Sequence, residues 1–345
     1  MPELKKLVLS YSPIKELHIA KGLESIESLS IDHSLLQQFD SSQFLQTRLD
    51  NLILDYSPIH WIKRMDVPCK VRYLSLKGTK IRKIDSRNFT LPNIISLQLD
   101  GSPLEELDMQ QGFDSLELLR LSNCRLINFN SKEIYLPKLE SLYLGENPLK
   151  MIYINIESLQ RLDVSNSDIQ QFNEDNIQLP NLKRLWLDGC TINDILSTMH
   201  MESLELLSMQ NASIASFESE NIILPNLETL LLRGSRIGIL DISKFDQLEN
   251  LYLDEIKDLR QLRFDINNEN HLEILSTVNL PTNCTNRSLL EKGVLSCAIN
   301  HVQFDAVTSP MTFAFQTSKR STNLTSSRFN LTVKDGGGLY LGNYG

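Results

Sequence analysis

Apolar residues return along this chain in one figure, apolar-x-x-apolar-x-apolar, about every 22 residues. The figure starts at Leu4, Ile26, Leu49, Val71, Ile94, Leu116, Leu139, Leu159, Leu182, Leu204, Leu227, Leu248 and Leu272. These 13 repeats cover four fifths of the 345 residues. A fixed period of this length predicts a solenoid, in which stacked repeats bury together a core that none can bury alone. Such a body offers a long surface rather than a catalytic cleft.

Within a repeat, let Leu116 be position 1. Positions 1, 4, 6 and 11 are apolar in nearly every copy, and positions 3, 5 and 7 are mostly polar. This alternation predicts a short strand with one buried and one wet face. The motif, recurring in register, resembles the leucine-rich repeat family. The resemblance implies an α/β-type solenoid, a leucine-rich repeat horseshoe with a parallel sheet lining its concave face. It also implies short helices, 3₁₀ turns or extended segments on the convex side.

Position 9 departs from that family, which usually places asparagine there. Here only Asn147 complies, and the other copies carry Ser, Thr, Cys, Ala212 or Ile256. A buried hydroxyl satisfies fewer backbone groups than an amide does. The expected result is a less rigid ladder, most irregular near residues 254–262.

Repeat lengths alternate, running 22, 23, 22, 23, 22, 23, 20, 23, 22, 23, 21 and 24. Four of the long convex segments share a cadence ending in Leu-Pro, at Pro92, Pro137, Pro180 and Pro225. The duplicated unit is therefore a pair of about 45 residues. Proline fixes φ and disfavours helix just upstream, so the convex side should be mostly extended or 3₁₀.

The figure fades after Leu275. We therefore expect a solenoid over residues 1–282 and a capping segment with a weakly ordered or β-rich tail over 283–345. Ser288–Gly293 has the pattern of a short helix ending at glycine. No cap precedes Leu4, so either residue 1 is not the natural start or that edge pairs with another chain.

Composition narrows the function. Hydrophobic residues make up 41% and charged residues 22%, which fits a folded chain, and no apolar run is long enough for a membrane span. The net charge is −9, and residues 283–345 carry +3 of opposite sign, leaving −12 for the repeats. An acidic solenoid without a basic stripe lacks the phosphate contacts that nucleic-acid binding needs. The six histidines are dispersed and no nucleophile, phosphate-loop or zinc spacing occurs, so neither enzyme activity, a cofactor nor a metal site is expected.

Strand parity assigns the wet face. Exposed Trp, Tyr and Arg on one surface are the residue types that dominate binding hot spots. They concentrate at Tyr143, Arg161, Asp163, Arg184, Trp186, Asp188, Leu231, Arg233 and Tyr252. These nine are the candidate partner-binding residues for a protein of unknown identity. Cys124 and Cys190 sit at the inward position 9 and read as buried thiols.

Two settings stay open. Five scattered cysteines and no export signal favour a cytoplasmic scaffold or adaptor. Sequons at Asn88, Asn211, Asn283, Asn286, Asn323 and Asn330, with a Cys284–Cys297 bridge as an option, favour a secreted or cell-surface recognition protein.

Overall fold

The computed structural model describes residues 4–17, 23–40, 47–63, 70–87, 91–169, 172, 175–192, 199–218 and 222–259. Beyond 260 it describes only the strand backbones named below. The chain divides into two compact units, residues 1–167 with 176–179, and residues 168–175 with 180–345.

In the first unit, eight short strands each pair in parallel with the next: Lys6–Val8, Ser28–Ser30, Asn51–Ile53, Tyr73–Ser75, Ser96–Gln98, Leu118–Arg120, Ser141–Tyr143 and Arg161–Asp163. Equivalent positions face one another, as in Leu29↔Leu52 and Leu119↔Leu142. The second unit repeats the arrangement with Arg184–Trp186, Leu206–Ser208, Thr229–Leu231, Asn250–Tyr252 and Glu273–Ser276. From Ile26 to Leu253, no residue at positions 1, 4 or 6 is more than 2% exposed. Burying each such side chain contributes roughly 1.5–3 kcal/mol. The first repeat differs: Leu4, Leu7 and Leu9 are only half-buried.

Among the described residues the convex segments carry short strands in place of α-helices. In the first unit they pair two by two, Gln38–Asp40 with Trp61–Lys63 and Lys83–Asp85 with Glu106–Asp108, followed by a trio, Asn128–Asn130 with Met151–Asn155 and then Ile177–Gln178. The first two pairings match the 45-residue duplication. The Leu-Pro cadence ends in a turn: the Ile94 and Leu139 amides donate to Leu91 and Leu136 carbonyls at 3.0 and 3.2 Å. Among the described residues the helical structure is one 3₁₀ turn, Ser131–Glu133, capped by the Asn130 side chain on the Lys132 amide.

In the second unit the convex strands Thr191–Ile192, Ser213–Phe217, Arg236–Asp241 and Gln261–Asp265 pair in parallel as a second sheet, and both sheets extend past the point where the sequence pattern fades. Gln261–Asp265 pairs in parallel with Val302–Val307, and Glu273–Ser276 with Phe313–Phe315. Antiparallel strands Gly338–Gly342, Asn330–Lys334 and Asn323–Thr325 follow on the Phe313–Phe315 edge. The expected helix at Ser288–Gly293 and Cys69, Cys284 and Cys297 lie outside the described residues.

Position 9 explains how the ladder works with little asparagine. Its hydroxyls pair within the duplicated unit: Ser34 with Ser57, and Thr79 with Ser102, both at 2.9 Å. The second partner then donates backwards, Ser57 Oγ to the Ile31 carbonyl and Ser102 Oγ to that of Leu76. Asn147 does more. Its Oδ1 accepts from the Cys124 and Leu126 amides at 2.8 and 3.0 Å, and its Nδ2 donates to the Leu121 and Leu144 carbonyls. Ser167 is the exception among the described residues, a buried hydroxyl with no hydrogen-bond partner.

Candidate binding surface

A strand must end before the chain can turn to the convex side, and this repeat ends it in one way. The position 8 amide stays on the ladder by donating to the position 7 carbonyl of the next repeat, as in Tyr56 to Lys77 at 2.6 Å and Gly101 to Ser122 at 2.8 Å. Position 8 has positive φ in twelve repeats, from Tyr11 at 58° to Glu255 at 56°, and ten of them make that bond. Glycine and asparagine adopt this conformation most readily, and a bulky L residue there costs about 1–2 kcal/mol. The recurrence of Gly78, Gly101, Asn123, Asn166, Gly189, Asn211 and Gly234 is its sequence signal. Parity reasoning overlooks it because the position lies past the strand.

All nine candidate residues stand on the solvated face, half-buried or exposed, while Leu142, Leu162, Leu185, Leu230 and Leu251 beside them are buried. The parity assignment therefore holds. The structure brings Tyr143, Arg161 and Asp163 together in the first unit. Tyr143 and Asp163 are register partners, and Arg161 Nη1 donates to Ser141 Oγ at 3.4 Å. The Arg120 guanidinium lies 4.5 Å from the Tyr143 ring centroid. Arg120 is itself held by Asp100 at 2.8 Å.

In the second unit, position 5 forms one row: Trp186, Ser208, Leu231 and Tyr252 on successive strands. Ser208 is fully buried and donates to Asp188 Oδ1 at 2.5 Å. The smallest side chain of the row thus stands between the indole and Leu231. Arg184 and Arg233 are exposed, the latter 3.9 Å from Glu255.

The aspartates of position 7 have a structural task. Asp55, Asp100 and Asp188 each accept the amide of position 7 in the following repeat, at 2.8, 3.0 and 2.7 Å. Each also accepts a side chain from position 5 of that repeat, Ser75, Arg120 or Ser208. Asp188 therefore braces the sheet, and its carboxylate is less open to a partner than the sequence suggests. Asp163 likewise accepts the Ser165 amide at 2.9 Å. Asp32 belongs to the same column. Burial opposes its ionisation, but donors on Ser10, Ser30 and His33 outweigh that and hold its pKa down to about 2.

Buried Cys124 has its thiol pushed up to about 12 by desolvation, which makes it unreactive. Cys190 is also a buried free thiol. Among the described residues no helix is long and apolar enough to cross a membrane. A groove along position 2 of the first unit is lined by charges of both signs, among which Arg72 pairs with Asp50 at 2.6 and 2.8 Å.

No protein-family model and no curated protein matches the sequence. Solved structures match the fold. YopM from Yersinia enterocolitica is 17% identical with a TM-score of 0.57, over 80% of this chain and 55% of that one. This chain thus spans about half of YopM. An internalin from Listeria monocytogenes is 16% identical with a TM-score of 0.52, over 89% of this chain and 87% of its own. The APL1 leucine-rich repeat domain is 16% identical with a TM-score of 0.54, over 88% and 85%. The chain has the leucine-rich repeat fold.

Proposed function

We propose that this chain is a non-catalytic protein-interaction module whose partner docks on the wet strand faces. The contacts would come from Tyr143, Arg161 and Asp163 in the first unit. Arg184, Trp186, Asp188, Leu231, Arg233 and Tyr252 would supply those of the second. The observation that carries this reading is Trp186, an indole on a solvated strand face beside a buried serine. A large aromatic surface left beside a small neighbour is the arrangement of a hot spot. Residues 283–345 close the solenoid in this reading, supported by the pairing of Val302–Val307 and Phe313–Phe315 onto the last repeats.

The setting we favour is an intracellular scaffold or adaptor. A recognition protein of the cell surface is the second reading, and Asn211 favours it, since this sequon asparagine is exposed at position 8. Mass spectrometry of the native protein separates the two: a glycan on Asn211 decides for the second.

The test of the binding face is affinity measurement against the isolated partner, wild type beside Trp186→Ala. The variant should bind about thirtyfold more weakly, roughly 2 kcal/mol, with its thermal midpoint unchanged. Equal affinity of the two proteins removes Trp186 from the interface and the reading with it.

A further inference from the structure

The first three repeats break the rule of position 8. Glycine or asparagine holds the left-handed conformation in seven later repeats and glutamate in two, but here it is held by Tyr11, His33 and Tyr56, at φ of 58°, 54° and 53°. A bulky side chain in this conformation is an outlier whose energetic cost the smaller residues avoid. The three rings form a column. Tyr11 stacks on His33 with centroids 4.4 Å apart and planes at 16°, and His33 meets Tyr56 at 4.8 Å and 31°. The stack offsets part of the strain, which explains how the rings are tolerated. It does not explain why rings stand where glycine would serve.

The column is exposed, with Tyr11 76% and Tyr56 57% accessible. It ends at a prepared place: a Cβ on Gly78 would lie 2.6 Å from Tyr56 Cδ1, so only glycine lets that ring lie over the next turn. Two residues on, position 10 is apolar in the same three repeats, at Pro13, Leu35 and Pro58, and Leu35 is 47% exposed. On the other side, position 7 supplies the negative charges of Asp32 and Asp55, both half-buried and both hydrogen-bonded within the sheet, Asp32 to the Ser10 and Ser30 hydroxyls and Asp55 to the Ser75 hydroxyl and the Lys77 amide. Asp32 also meets His33 Nδ1 at 3.1 Å.

Elsewhere the chain supplies its own cations to tyrosine faces: Arg72 to Tyr73, Arg120 to Tyr143 and Lys132 to Tyr153. Among the described residues no cation lies over Tyr11 or Tyr56. Aromatic rings without a cation, edged by negative charge on a chain of net charge −9, complement a guanidinium, which packs on tyrosine and is drawn to carboxylates by its charge.

We infer that Tyr11, His33 and Tyr56, with Asp32 and Asp55, form a second docking surface, for a cationic, arginine-bearing segment of a protein partner. It is independent of the Trp186 face. Apolar contact comes from Leu35 and the flanking prolines, and specificity from the ring column and its acidic edge.

The test uses the full chain and the triple variant Tyr11→Asn, His33→Asn, Tyr56→Asn. Asparagine holds this position in other repeats, so the variant should fold with a thermal midpoint at or above wild type. The probe is fluorescein-labelled nona-arginine, with nona-citrulline as the uncharged isostere, followed by anisotropy at physiological salt. Wild type should bind nona-arginine at least tenfold more tightly than the triple variant, and nona-citrulline should not compete. Trp186→Ala should bind the probe like wild type, so this surface and the Trp186 reading fail separately. Equal binding by wild type and triple variant, including binding by neither, overturns the inference, as does equal affinity for nona-citrulline. Should the triple variant lose its circular-dichroism signature, Tyr11→Asn alone decides: a loss below threefold overturns it.

Discussion

The two packing units fill the same strand positions with similar residue types and reach different ends. In the first unit, Tyr143 is covered by Arg120, which Asp100 holds in place. In the second, Trp186 and Tyr252 share a row with Ser208 and Leu231, and among the described residues no cation lies over either ring. Aromatic residues that look equal along the chain are therefore unequal on the surface. The side chain on the neighbouring strand decides whether a ring is occupied by its own protein or left for a partner. Position 9 shows a parallel difference. The first unit fills it with hydroxyl pairs and Asn147, apart from Cys124 and the unpartnered Ser167, whereas the second carries Cys190, Ala212 and Ser235 there.

The sharpest way to break this comparison is to damage the core beside a candidate ring. Leu185 is fully buried while its neighbour Trp186 faces solvent. Leu185→Ala should cost about 2–5 kcal/mol of unfolding free energy. Denaturant unfolding next to Trp186→Ala measures both, and a larger loss for the tryptophan variant would reverse the parity of that strand.

Asn147 tests the position 9 contrast. Its side chain serves two amides and two carbonyls that are otherwise buried. Asn147→Ala should cost about 3 kcal/mol, since each orphaned buried group is worth about 1–3 kcal/mol. Ser235→Ala, which removes one donor to the Met209 carbonyl, should cost about 1 kcal/mol. Equal midpoints for the two variants in urea would mean that the amide bonds add nothing over a hydroxyl.

Tyr143 sharpens the contrast between the two faces. Because Arg120 already covers it, Tyr143→Ala should weaken partner binding less than Trp186→Ala does, by about 1 kcal/mol or less. Calorimetric titration of both variants ranks them, and a larger loss at Tyr143 would move the hot spot into the first unit.

The smallest expected effect is one of acidity. The Asp32 carboxyl, with a folded pKa of about 2 against an ordinary 3.8, stabilises the fold when ionised. That contribution is fully present above about pH 4 and lost as pH falls through about 2. Asp32→Asn should therefore flatten the decline of thermal midpoint over this window. An unchanged slope would show that the Ser10, Ser30 and His33 donors do not hold the charged form.

Much of this architecture is legible in the amino-acid sequence. Leu29, Leu52 and Leu74 lie at equal positions in the figure, and they pair as such because parallel repeats of nearly equal length stack in register. Pro92, Pro137, Pro180 and Pro225 pointed to a convex side without α-helix, and among the described residues it carries short strands and one 3₁₀ turn. The structural duty of Asp188 was not legible, since its partners Ser208 and Gln210 lie twenty or more residues away. Nor was the extension of both sheets to Val302–Val307 and Phe313–Phe315, because an interrupted repeat has no period to read.

By itself the sequence determined the period, the buried and wet faces and the paired duplication, because these follow from local alternation and from the fixed φ of proline. Only the tertiary structure decided which side chains on the wet face are already engaged. That depends on atoms brought together across the ladder: Arg120 over Tyr143, Ser208 beside Trp186, and His33 between Tyr11 and Tyr56. Stacking places every residue against partners one repeat away, about 22 residues distant along the chain, and local pattern carries no record of which of them will meet.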